Sequence, residues 1–355
     1  MNETASYTLP RISLRRKIKL KIFRIFRLHK GPSLKLYKGF GNETSCVIYG
    51  HAFSLSPFQR RTFRNFFLFN SIALLRMFMV KPMKNAKIKL QWEENVFEAF
   101  TEKDGFFRFE WKHSSELKSG VLPVKAFLMK KHSDTVVSAS CESEIIIPSP
   151  TSFAFISDID DTFLISHSSN LRKRLFVLLT ENARSRRPFD GAVKHYRLLH
   201  GIDDADKSDN AFFYVSSSEW NLYNYIREFV KEYKLPEGIF LLNQIKTFSK
   251  LFATGQSNHN GKFTRIIRIM EAYPQQKFVL LGDDSQKDID IYSSVAEHFP
   301  QNVYAVYIRR VGKPEKPHVV EKQAIIEEAG IHFCYFAHSD DAILHSVKIG
   351  LIKNT

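Results

Sequence analysis

Between Phe153 and Arg310, compact apolar runs alternate with helix-like stretches, and this alternation limits the fold more than any other feature of the chain. FAFISDID, FFYVSSS, IFLLNQI, KFVLLGDD and VYAVYIRR read as buried strands. The stretches Glu219 to Tyr233, Lys262 to Tyr273 and Asp288 to Phe299 separate several of them and read as helices. Strands of this kind, joined by helices, predict a parallel, doubly wound sheet. In such a sheet, ligand groups gather at the carboxyl ends of the strands.

Upstream of the Pro148-Ser-Pro150 break the character differs. KLYKGFGN, SCVIYGHAFS, AKIKLQWE, GFFRFEWK, VKAFLMKK and TVVSAS are short β-rich segments separated by Gly, Asn and Asp turns. Ser56-Pro57 reads as a capped helix start, and the segment it opens must end at Lys81-Pro82. An antiparallel β-sandwich with one inserted helix is the simplest assembly. The expected division is a basic arm over 1–32, the β-sandwich domain over 33–148 and the α/β domain over 149–355.

The arm holds nine cations between Arg11 and Lys30 with no acid among them, and the whole chain carries a formal net charge of +15. Leu14, Ile18, Ile22 and Ile25 recur at helical spacing, the pattern of an interfacial helix on anionic lipid. The alternation KIKLKI also suits an edge strand, and an arm packed on its own protein suits both patterns. The net charge calls for an anionic partner: a phosphorylated substrate, an acidic membrane surface or nucleic acid. Cys46, Cys141 and Cys334 are too far apart in sequence for a disulfide framework or thiolate metal site. Free buried thiols in a reducing compartment fit best. No signal peptide is evident. The most apolar run, Phe66 to Val80, contains Asn70 and Arg76 and is too short to span a bilayer.

The strand ends carry the chemistry. Asp158, Asp160 and Thr162 follow the first strand, Ser216, Ser217 and Ser218 the second, and Asp283 and Asp284 the fourth. Lys262 opens the helix before the fourth strand, and Asp288 lies one helical turn beyond Asp284. Crowded carboxylates repel unless something positive is shared, and hard oxygen donors from two strand ends suit Mg²⁺. Hydroxyls and a lysine on the same rim suit phosphate oxygens. Asp161 reads as a turn residue. His167, His195 and His259 have no ligand-like spacing and read as ordinary polar residues.

Asp158-Ile-Asp160-Asp-Thr162 resembles the DxDxT signature of haloacid dehalogenase (HAD) superfamily phosphatases, and Ser216, Lys262 and Gly282-Asp283-Asp284 follow in that superfamily's order. DIDDT, YVSSSEWNLY, LPEGIF, GDDSQKDIDIY and the upstream YKGFGN (Tyr37–Asn42) resemble, more narrowly, the actin-patch-associated phosphatidate phosphatase family and its bacterial members. The chain departs from that family's pattern at Glu219, where a proline is usual, at Asn243, where an arginine is usual, at Gly261, and at Asp284-Ser285 within the acidic motif. These positions surround the expected pocket, so they bear on substrate identity.

The resemblance implies a HAD-like fold and a two-step phosphomonoesterase reaction. Asp158 would be the nucleophile that forms an aspartyl-phosphate, and Asp160 the general acid and base. Asp158, the backbone carbonyl of Asp160, Asp283 and Asp284 would hold Mg²⁺, with Asp288 as support. Thr162, Ser216 and Lys262 would bind the phosphoryl oxygens. The leading expectation is hydrolysis of phosphatidate to diacylglycerol by a cytoplasmic protein, peripheral on the inner face of a membrane. The alternatives are a soluble phosphatase for sugar phosphates, nucleotides or polynucleotide ends, and a lipid-binding module without catalysis. The arm lacks the interspersed polar and small residues of a nucleic-acid tail, which counts against nucleic acid as a partner. The stretch from Ser166 to Asp209, with its six Arg and Lys between Arg172 and Arg187, is long enough for a lid or a surface insertion.

Overall fold

A computed structural model describes residues 28–57, 75–113, 117–149, 151, 153–159, 189, 191–201, 210–247, 259–285, 287–311 and 316–353. The arm up to residue 27, the segment expected to be the inserted helix (58–74), Asp160, Asp161, Thr162 and most of the stretch from Ser166 to Asp209 lie outside the described residues.

Nine strands form the first sheet: β1 (Leu28–Leu36), β2 (Gly39–Gly41), β3 (Ser45–Pro57), β4 (Lys81–Pro82), β5 (Lys87–Trp92), β6 (Asn95–Phe100), β7 (Phe106–Lys112), β8 (Gly120–Met129) and β9 (Val137–Ile147). Their hydrogen-bonded order is β1-β3-β2-β9-β8-β5-β6, with β4 and β7 also on β3. Most pairs are antiparallel, but β2 runs parallel to β9. Where a sandwich of separate sheets was expected, the ladder is continuous because β3 is long enough to pair along both edges. The sheet curls on itself: Ile48 and Ala52 of β3 and Phe107 and Phe109 of β7 share one core with Ile88, Leu90, Ala126, Leu128 and Ile145. Ser56 and Pro57, expected to cap a helix, are the last residues of β3, and the Ser56 hydroxyl meets that of Ser33 at 2.9 Å. β1 starts at Leu28, so the last residues assigned to the arm are strand. All three cysteines are free.

The second sheet has six strands, β10 (Phe153–Ser157), β11 (Ala211–Glu219), β12 (Ile239–Asn243), β13 (Lys277–Asp283), β14 (Val303–Arg309) and β15 (His332–Phe336). Their order is β12-β11-β10-β13-β14-β15 and every pairing is parallel. The helices that accompany them are α1 (Ala192–His200), α2 (Tyr223–Glu232), α3 (His259–Ala272), α4 (Asp288–His298), α5 (Pro317–Glu328) and α6 (Ser339–Lys348). A short 3-10 turn, Trp220–Leu222, precedes α2, so that helix starts later than expected because β11 continues through Glu219. From β10 the chain builds outward to β12 on one side and, from β13, to β15 on the other. The crevice beyond the ends of β10 and β13 is therefore the point where the strand order reverses. Among the described residues no helix is long and apolar enough to cross a membrane.

Tyr37 to Asn42 joins the two sheets. Tyr37 stacks on Trp220 with ring centroids 4.0 Å apart, and Phe40 meets Phe213 edge-on at 5.8 Å. The Lys38 N–H donates to the Tyr223 hydroxyl (3.2 Å), the Asn42 amide to the Ala272 carbonyl (2.6 Å), and the Tyr273 hydroxyl to the Gly41 carbonyl (2.8 Å). Within the first sheet, Gly39 lets β2 lie close on β3, since a Cβ there would lie 2.4 Å from the Val47 carbonyl oxygen. Tyr37 also shares a 2.9 Å hydrogen bond with Nδ1 of the buried His51.

Two buried histidines make the fold acid-sensitive. Burial, with the charge of Lys35 adding to it, holds His51 down at about 3. Burial, followed by Arg309 and His345, does the same to His195, which bonds Ser346 and is a core residue rather than an ordinary polar one. The unfolded chain protonates both near 6.5, so between about pH 6.5 and 3 it binds more protons than the folded chain, and stability falls as pH falls. Lowering the pH from 7 to 5 should lower Tm, the loss approaching about 1.4 kcal/mol per pH unit for each histidine. His51→Asn should flatten this dependence in melting curves recorded across that range, and a Tm independent of pH contradicts the assignment.

Candidate active site

Asp158 comes directly after β10 and Asp283 ends β13. The Asp158 N–H donates to the Leu281 carbonyl at 2.8 Å, which extends the β10–β13 ladder by one step and sets the two acids at the same crevice. The Ser157 hydroxyl adds a second restraint, donating to the Asp158 carbonyl (2.5 Å) and meeting the Tyr196 hydroxyl from α1 at 2.8 Å. Asp288, the first residue of α4, completes the group: Asp158, Asp283 and Asp288 each offer a carboxylate oxygen within 4.8 Å of the others, and all three are buried.

Lys262, from the first turn of α3, lies between two of them. Its Nζ is 2.9 Å from Asp158 Oδ1 and also pairs with Asp288 Oδ1. Burial works against the ammonium, but the Asp158 and Asp288 charges outweigh it and raise the lysine above its ordinary value. Asp283 shifts in the same direction for a different reason. Burial first and the Asp288 charge second push it up to about 8. Gly282 lets α4 approach, because a Cβ there would lie 2.8 Å from Asp288 Oδ2. The Asp283 N–H faces that same oxygen at 3.4 Å, and the Ser285 N–H donates to Asp283 Oδ1.

Ser216, fully buried on β11, accepts the Ser218 N–H at its hydroxyl (2.9 Å), and its carbonyl accepts from Arg265 Nη2 (3.2 Å). Asp284, expected with the metal ligands, is committed elsewhere. Its carboxylate accepts from the Tyr335 hydroxyl (2.6 Å) and the Val311 N–H (2.8 Å) and pairs with Lys316 at 3.2 Å, tying β13 to the C-terminal strands. Asp288 lies with Asp158 and Asp283. Asp160 and Thr162, which complete the expected set, lie outside the described residues. Two contributors were not singled out as first-line groups: Asp288, an acid in the first turn of the helix after a strand-end acid, and Arg265, one helical turn beyond Lys262. Of the departures from the family pattern, Glu219 pairs with Lys246 at 2.7 Å at the end of β11, opposite Asn243.

The donor set fits a divalent cation. Three buried carboxylates close enough to share one ion, as hard oxygen donors on two strand ends and a helix start, are the ligands such an ion takes.

An acidic, lysine-bridged centre at the switch point of a parallel α/β sheet is the class of site present. Residues 153–310 match the family model described as "Phosphatidate phosphatase APP1, catalytic domain". Over 161 residues, 45% of this chain, the sequence is 31% identical to phosphatidate phosphatase APP1 of Saccharomyces cerevisiae, and the match covers 26% of that protein. An uncharacterized protein of Schizosaccharomyces pombe is 22% identical over 196 residues, 55% of this chain and 31% of its own length. The matches thus span between about a quarter and a third of these yeast relatives. A solved β-glucuronidase of Bifidobacterium dentium gives a TM-score of 0.25 at 8% identity over 86% of this chain and 61% of its own, a likeness too low to carry an argument.

Removing the ammonium should expose the cost of the cluster. Lys262→Met leaves Asp158 and Asp288 buried without their cation, and should destabilise the metal-free chain by about 3–5 kcal/mol in denaturant unfolding. Adding Asp288→Asn to that variant should recover part of the loss, a coupling that independent sites would not show.

Proposed function

We propose that this chain is a Mg²⁺-dependent phosphatase that hydrolyses a phosphomonoester, with phosphatidate as substrate and diacylglycerol as product. The observation that carries the reading is the buried Asp158, Asp283 and Asp288 group bridged by Lys262, within the segment that matches the phosphatidate phosphatase model. The parallel sheet supports a HAD-like α/β domain over 149–355, with the first sheet as the separate β domain over 33–148.

In this reading Asp158 attacks phosphorus in line, and a new P–O bond forms as the ester P–O bond breaks. Asp160 gives its proton to the departing alkoxide, so the lipid leaves as an alcohol. Water then attacks the aspartyl-phosphate, losing its proton to Asp160, and Asp158 is regenerated as inorganic phosphate leaves. Lys262 holds the Asp158 carboxylate in its ionised, nucleophilic state and, with Ser216 and Thr162, accommodates the charge of the transferring oxygens. Asp158, the Asp160 carbonyl, Asp283 and Asp288 would hold Mg²⁺, which when bound supplies positive charge against the phosphoryl group. Arg265 holds the end of β11 through its hydrogen bond to the Ser216 carbonyl. The basic arm and the net charge support a protein peripheral to an anionic membrane surface on its cytoplasmic side.

Purified protein with vesicle-borne phosphatidate should release phosphate in Mg²⁺ and stop in EDTA. Asp158→Asn should lower the rate by roughly 10⁴-fold or more, and Asp160→Asn by about 10²–10⁴-fold. Phosphate release by Asp158→Asn at the wild-type rate overturns the reading.

A further inference from the structure

Beside the joint between the sheets, β1, α2 and the end of β12 enclose a cavity of about 860 Å³. None of Asp158, Ser216, Lys262, Asp283 and Asp288 lines it. Ligand pockets typically run from about 300 to 1,000 Å³, so the volume admits a molecule larger than an inorganic ion.

Its charged lining is mainly positive, with Glu228 and Glu237 the acids in it. Lys35 of β1 and Arg227 of α2 both line it, and neither makes an ion pair among the described residues. Their positive charge rests on aromatic faces instead. Lys35 Nζ lies 5.1 Å from the centre of the Tyr37 ring and 5.2 Å from that of Tyr223, and the Arg227 guanidinium lies 5.6 Å from the Tyr223 ring. Arg76 and Lys231 line the same cavity. Lys38 is different, since Glu144 and Glu237 hold it at 3.3 and 3.2 Å. Two like charges facing one cavity repel each other unless an anion lies between them. Burial, with Arg227 adding to it, brings Lys35 down to about 7, so at neutral pH the ammonium is only partly charged, and a bound anion would restore its charge. The remaining wall is apolar, with Leu34, Phe53, Met77, Val80 and Ile245.

We propose that this cavity is a second binding site for a phosphomonoester, with Lys35 and Arg227 on the phosphate and the apolar wall against the group it esterifies. A phosphate dianion matches the two uncompensated cations, and the planar guanidinium suits its oxygens. The apolar wall favours an ester over free phosphate. The site stands independently of the catalytic reading, because it shares no residue with the carboxylate cluster.

The test uses the full chain carrying Asp158→Asn, in EDTA, titrated calorimetrically with glycerol 3-phosphate and separately with phosphatidylcholine vesicles containing phosphatidate. Arg227→Gln, at an exposed position of α2, and Lys35→Met should each weaken binding about tenfold or more, and Lys35→Arg should keep it. A response to vesicles alone assigns the site to a lipid head group, and a response to both assigns it to phosphomonoesters in general. Affinity unchanged by Arg227→Gln overturns the proposal, and that variant decides the matter even if Lys35→Met fails to fold. Loss of catalysis in Asp158→Asn with this binding intact separates the two sites.

Discussion

One buried ammonium makes the rest of the acidic centre sustainable. Asp158 and Asp288 come from a strand end and a helix start far apart in sequence, and Lys262 from a third element lies in contact with both. Without a cation, two adjacent buried carboxylates would take up protons or force the helix away, since the loss of hydration is several kcal/mol for each charge. The requirement reaches outward. The β10–β13 ladder must extend to Asp158, position 282 must lack a side chain, and α3 must begin where Lys262 reaches the crevice. Asp283 is pushed up to about 8 by burial and by Asp288.

The second constraint is the joint. The segment from Tyr37 to Asn42 contributes rings, backbone groups and an amide to the parallel sheet, and it is anchored by stacking on Trp220, only four residues beyond Ser216. The first sheet is therefore a structural neighbour of the β11 strand end, and the cavity beside the joint exists only because both sheets are present.

Much of this was legible in the sequence, for identifiable reasons. The strands of the second sheet are apolar throughout because both faces are covered, so their positions and the acids at their ends could be read directly. Asp284 is set apart from Asp283 because adjacent strand residues point to opposite sides: from Gly-Asp-Asp alone, either acid could face the crevice. It faces Tyr335, on a strand that was not among those anticipated. Asp288 reads as a helix cap until the partner across space, Lys262, is known. Ser56-Pro57 has the composition of a helix start, but pairing with β1 outweighed that local preference. The continuous first sheet could not be inferred, since it depends on β3 pairing along both edges, and sequence alternation reports faces rather than edges.

The central claim is that Asp158 carries the phosphoryl group between substrate and water. Rapid acid quench during turnover of phosphatidate, followed by mass spectrometry of the peptide containing Asp158, tests it most directly. A transient gain of one phosphoryl group on Asp158 is expected, rising before free phosphate and disappearing as the substrate is exhausted. Phosphate released at full rate with no phosphoryl group on that peptide at any time would contradict it.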